Sequence, residues 1–96
     1  MVIKDEIIEV LKNTLDPELG IDLYTLGLIY DIDMDEKNQK LVLKMTFTTP
    51  LCPYGPQMVG DLRGKFRALG LDDVKIDVVF DPPWTPSEEV RAMLGV

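Results

Sequence analysis

From Leu28 to Phe47 the chain alternates apolar and polar residues twice, with the hydrophilic stretch DEKNQ (residues 35–39) between the two runs. In the first run Leu28, Tyr30, Ile32 and Met34 alternate with Asp31, Asp33 and Asp35; in the second, Leu41, Leu43, Met45 and Phe47 alternate with Val42, Lys44, Thr46 and Thr48. A period of two sends successive side chains to opposite faces of an extended strand. Two such runs across a short polar turn predict an antiparallel hairpin with one apolar face and one face in water. A hairpin alone is marginally stable, so the flanking segments must cover that apolar face.

The flanks are built to do so. Ile3, Ile7, Val10, Leu11 and Leu15 recur at three- and four-residue steps among Lys4, Asp5, Glu6, Glu9 and Lys12, which predicts an amphipathic helix. Asp16-Pro17 ends it, because proline lacks an amide hydrogen and pushes its predecessor out of helical geometry; with Gly20 close behind, DPELG (16–20) reads as a rigid corner. After the hairpin, Met58, Val59, Leu62, Phe66 and Leu69 resume helical spacing, with Pro56 at the first helical position and Gly70 as the stop. Val74, Ile76, Val78 and Phe80 alternate as a third strand, closed by DPPWTP (81–86). A last helix carries Val90, Met93 and Leu94 to Gly95, with Thr85 and Glu88 in a capping-box pattern and Pro86 at its first position. The order α-β-β-α-β-α predicts an α+β fold: one small two-layer sandwich over residues 1–96, a three-stranded sheet with helices on one face.

Ten Lys plus Arg against seventeen Asp plus Glu give a net charge of −7, a field that repels nucleic acid and anionic membranes. Charge begins at Lys4, Asp5 and Glu6, and prolines and glycines interrupt the longest uncharged run, so neither a signal peptide nor a spanning segment is expected and the expected compartment is the cytoplasm. Asp31, Asp33, Asp35 and Glu36 cluster at the hairpin without the spacing or glycine of a calcium loop, which fits a solvated turn. Trp84, between prolines, is placed to cover one end of the core.

The single cysteine, Cys52, stands in TTPLCPYG (48–55), where the second strand of the hairpin passes into the helix that starts near Pro56. One thiol forms no internal disulfide; it is buried filler, an intermolecular bridge or a reactive group. Amides at a helix N-terminus stabilise a thiolate, and Pro50 and Pro53 stiffen the backbone around it. The chain has no histidine, which excludes a Cys-His nucleophilic pair, and it has no resolving cysteine for thiol-redox turnover. A closed zinc or cluster site wants about four ligands. If Cys52 binds metal, the others must come from a second copy, a partner, a small thiol, or carboxylates and water. An incomplete shell suits transfer more than storage.

Four stretches carry a resemblance: DPELG (16–20), LGLIYDI (26–32), TFTTPLCP (46–53) and DPPWTP (81–86). In this order and spacing the chain resembles the metal–sulfur cluster biosynthetic family, the small domain shared by SufT, PaaD and the eukaryotic cytosolic iron–sulfur targeting adaptor. The resemblance implies an iron–sulfur cluster assembly-like fold and a non-enzymatic role in assembling or delivering clusters to apo-proteins. The family's reactive cysteine falls on Cys52 and its acidic corner on Asp16 and Glu18, with Thr48 and Thr49 in the polar run before the thiol. The cargo implied is a transient iron–sulfur cluster or iron. The partners implied are the assembly machinery and apo-clients, and ligand shortage suggests a homodimer. Two readings stay open: Cys52 as thiolate ligand or client contact, or a metal-free adaptor with Cys52 structural. For the corner, Asp16 caps the turn begun by Pro17, or it lies beside TTPLCP and supplies an oxygen ligand.

Overall fold

The computed structural model describes residues 1–48 and 54–95. Ile7 and Leu11, one turn apart, are fully buried and set the inner face of helix α1 (Lys4–Lys12). Its first turn is satisfied by Glu6, whose side chain accepts the Ile3 N–H at 3.2 Å. The helix stops short of Leu15. Thr14 is buried instead, with its hydroxyl donating to the Val10 carbonyl at 2.8 Å, and Leu15 is turned out to solvent on a one-residue bridge to Asp22.

A short helix that periodicity did not predict follows, α2 (Leu23–Leu26). Asp22 caps it by accepting the Thr25 N–H, and Gly27 ends it at φ 77°, a left-handed conformation that favours glycine. Four residues are too few for a 3.6-residue period to declare itself; the signal in the sequence is the Asp cap and the glycine five residues on.

Strands β1 (Ile29–Asp35) and β2 (Lys40–Met45) pair antiparallel, and β3 (Asp73–Val78) joins β2 in parallel, giving the sheet order β1-β2-β3. The parallel pair needs a crossover, which helix α3 (Gly55–Ala68) supplies. In register, Ile32, Leu43 and Ile76 share the inner face, as do Met34, Leu41 and Val74. The opposite face presents Asp31, Lys44 and Asp77 in one row and Asp35, Lys40 and Asp73 in another, in the alternation expected of a sheet covered on one side. The expected α+β architecture is therefore present, with a mixed three-stranded sheet and four helices.

One expectation about the first strand changes. The register slips between Ile29 and Asp31, so Ile29 pairs with Met45 and Tyr30 is the extra residue of a bulge. Tyr30 leaves the core pattern and donates its hydroxyl to the Pro82 carbonyl at 2.7 Å. Trp84 Nε1 donates to the Leu26 carbonyl at 2.7 Å, and its ring is half-buried against the core. DPPWTP thus straps the start of β1 with two long-range hydrogen bonds.

The last helix, α4 (Glu88–Leu94), is capped by Ser87, whose hydroxyl accepts the Val90 N–H at 3.2 Å; the expected cap at Thr85 lies two residues too early. Phe66, Leu62, Leu71 and Val90 close the core over the inner face. Among the described residues no helix is long and apolar enough to cross a membrane.

Candidate functional site

β2 leads through Thr46 and Phe47 toward the cysteine loop, and α3 begins on its far side. Gly55, buried as the first residue of that helix, packs directly on the Phe47 ring: a Cβ there would stand 2.7 Å from Phe47 Cζ. Phe47 in turn meets Phe80 edge-on, with centroids 6.0 Å apart. The entrance and exit of the loop are therefore pinched together, and only glycine permits so close a neck. Cys52 and Thr49, with Pro50 and Pro53, lie outside the described residues. Thr48 stands half-buried at the near end and Tyr54 is exposed at the far end.

The acidic corner is shaped from within. Asp16 is 1% exposed, and its Oδ1 accepts the N–H groups of Glu18 at 2.8 Å and Leu19 at 3.0 Å. Its carbonyl accepts the Gly20 N–H at 2.8 Å, and its own N–H donates to Ile21 at 2.9 Å. This is the capping arrangement that Asp-Pro suggests, and it fixes the direction in which Pro17 and Leu15 face. Glu18 is exposed at the tip of the corner.

Corner and loop exit meet across a cavity of about 310 Å³, lined by Leu15 and Pro17 on one side and by Tyr54, Gln57, Met58 and Asp61 on the other. Leu15 and Tyr54, 59% and 45% exposed, form an apolar lip on it. Sequence reasoning identified both stretches but missed Gly55, Tyr54 and Gln57 as the residues that join them. The glycine between an aromatic and Pro56 was the available signal.

Above the neck, Thr46 is buried, and its Oγ1 has no hydrogen-bond partner among the described residues. Among the described residues no three carboxylates or other metal-binding side chains are grouped to hold an ion. Away from this site, in the hairpin turn, Asp35 is held below the usual carboxylate range, first by the Asn38 side-chain amide and then by the Asn38 backbone N–H.

Fold and site together define a small α+β domain with a pinched strand-to-helix loop set against a capped acidic corner. A solved structure from Thermotoga maritima, described as a conserved hypothetical protein, has the same fold: TM-score 0.82, 40% identity, covering 99% of this chain and 96% of that one. The sequence profile described as "Iron-sulfur cluster assembly protein" matches residues 4–78, so the chain belongs to that family. The Fe-S protein maturation auxiliary factor YitW of Bacillus subtilis is 38% identical over 90 residues, 93% of this chain and 87% of the relative. The Fe-S protein maturation auxiliary factor SufT of Staphylococcus aureus is 36% identical over 86 residues, 85% and 97% respectively.

Proposed function

We propose that this protein is an auxiliary factor in the maturation of iron–sulfur proteins. It acts in the cytoplasm without turnover of its own, with Cys52 as the thiolate that touches a transient cluster, iron, or the apo-client. Family membership and the maturation factors it resembles support the role. The observation that carries the site assignment is the contact of Phe47 with Gly55, which ties both ends of the cysteine-bearing loop to the rigid core beside the corner. Anchoring both ends of a loop lowers the entropic cost of ordering what lies between them, which suits a ligand that must be offered and withdrawn.

In this reading the cluster is cargo. One thiolate leaves its shell open, so remaining ligands come from the donor, the client or a second copy of the chain. Asp16 serves by setting the corner, Glu18 meets the incoming protein, and Thr48 and Thr49 contribute polar groups to cargo binding alongside Cys52. The adaptor reading, with no metal ligation, draws its support from Asp16, whose Oδ1 is engaged by two amides of its own turn.

Anaerobic reconstitution with iron and sulfide of the intact chain and of Cys52→Ser separates the two. Cluster absorbance in the former and its loss in the latter, with unchanged circular dichroism, is the expected result. Equal absorbance in both proteins eliminates the ligand role. No absorbance in either, together with an alkylation rate at Cys52 no faster than that of a free thiol of pKa about 8.5, leaves the adaptor.

A further inference from the structure

The seam between α1 and α3 is divided by one side chain. Lys65 Nζ donates to Thr14 Oγ1 at 2.9 Å and lies 3.9 Å from Asp61, forming a rib across the seam. On one side of the rib is the cavity beside Tyr54 already described. On the other is a larger groove of about 700 Å³, with Val10, Ala68 and Leu69 as its floor and Asp5, Glu6 and Glu9 along its rim.

Charge on α1 is sorted by flank. Lys4 and Ile8 border β1, and Lys12 Nζ sits 5.4 Å over the Tyr24 ring, whereas the flank facing α3 is acidic. Lys65 directs its ammonium to Thr14 and Asp61, and none of Asp5, Glu6 and Glu9 has an ion pair among the described residues. An apolar floor whose rim carries three carboxylates, Glu6 among them also accepting the Ile3 N–H, against the single lining cation Lys65 fits a basic amphipathic segment. It fits neither a nucleic acid nor a second copy of a chain with net charge −7.

We infer that this groove docks a basic amphipathic helix of a partner protein, whose apolar residues seat on Val10, Ala68 and Leu69 while its Lys and Arg side chains meet Asp5, Glu6 and Glu9. From Asp5 to Asn13 the groove follows α1 for about 12 Å, a little over two turns, the length that anchors spaced i, i+4 and i+7 occupy. Leu69 and Ala68 lie at the end of α3 opposite Gly55, so the helix is held away from the cysteine loop and leaves it free for cargo. The groove therefore tethers a partner, and the loop does the exchange.

The probe is a synthetic helical peptide of about sixteen residues with Leu at i, i+4 and i+7 and Lys on both flanks, titrated into the ¹⁵N-labelled full chain. Amide shifts confined to residues 5–13 and 65–69 are expected, together with weakening by about tenfold or more when salt rises from about 0.05 M to about 0.5 M. Asp5→Lys combined with Glu9→Lys, and separately Ala68→Lys, which puts a like charge on the apolar floor, should each weaken binding about tenfold or more. All three positions are exposed on helices, and circular dichroism checks that the variants fold. Cys52→Ser should bind the peptide as the parent does, which keeps this test independent of the thiol's role. The inference is overturned by equal binding of the same peptide with Glu in place of Lys, by shifts centred on Tyr54 or on the open sheet face, by concentration-dependent shifts without peptide, or by no shift up to about 1 mM peptide.

Discussion

The two ends of the β1-β2 hairpin are finished in opposite ways. At the turn, polar groups satisfy one another. Asp35 accepts from the side chain and backbone of Asn38. The Gln39 amide donates to the Val2 and Glu36 carbonyls and accepts the Val2 N–H at 2.7 Å. Gln39 adopts φ 54° to do so, and its bonds clasp the N-terminal segment to the sheet. At the other end the Thr46 N–H donates to the Leu28 carbonyl at 2.8 Å and the Val79 N–H to the Met45 carbonyl at 2.8 Å, Phe47 packs between Gly55 and Phe80, and Thr46 keeps a buried hydroxyl without a partner among the described residues. Leu15, Tyr54 and Phe80 are exposed around it. The first end is finished by polar side chains that bond one another; the second presents exposed apolar side chains around a packed aromatic neck, the kind of surface that marks a contact site.

The contrast is broken most severely at the neck. Gly55→Ala drives a Cβ into the Phe47 ring and should cost about 1–3 kcal/mol in denaturant unfolding. Combining it with Phe47→Leu should recover part of that loss, a coupling of about 0.5–3 kcal/mol that additive behaviour would refute. At the turn, Gln39→Ala removes the Val2 clasp and should cost about 1–2 kcal/mol, with amide exchange quickened at the start of α1; unchanged exchange there would show the clasp to be idle.

Thr46→Val tests the opposite sign. Deleting an unpartnered buried hydroxyl while keeping the side chain's shape should leave stability unchanged or raise it by up to about 1 kcal/mol. A loss would show that residues 49–53 bond that hydroxyl. The smallest effect belongs to Asn38→Ala, which should raise the Asp35 carboxyl toward its ordinary 3.8 in an NMR titration. Because the folded-state value lies below that of the unfolded chain, the stabilisation it brings is present above about pH 4 and is lost as pH falls through the folded value. The variant should therefore show a shallower acid limb in its stability profile.

These two ends were unequally legible in the sequence. Strand alternation and the DEKNQ turn are local signals, and they placed the hairpin to within a residue or two. So did the stripe of Leu62 and Phe66 for α3; that of Ile7 and Leu11 found α1 but carried it to Leu15, three residues past its end at Lys12. The bulge at Tyr30 was hidden, because an extra residue in a strand shifts which side chains face inward without changing their kinds. The cap at Ser87 was hidden among neighbours able to do the same work. The parallel pairing of β3 with β2, and the meeting of the DPELG corner with Tyr54, were out of reach for a different reason. The strand partners, 33 positions apart, are joined through the crossover by α3, and Pro17 and Tyr54 meet across the cavity from 37 positions apart; no local pattern encodes either partnership. Motif reading found the two halves of the candidate site and could not set them side by side.

A sheet of three strands has two outer members, and among the described residues no further strand pairs with β1 or β3. Their outward residues are Asp31, Asp33 and Asp35 on one and Asp73, Lys75 and Asp77 on the other, so each border is acidic on balance and two molecules approaching edge to edge repel. The carboxylates that shape the solvated face thus also act as gatekeepers against pairing with another copy of the chain.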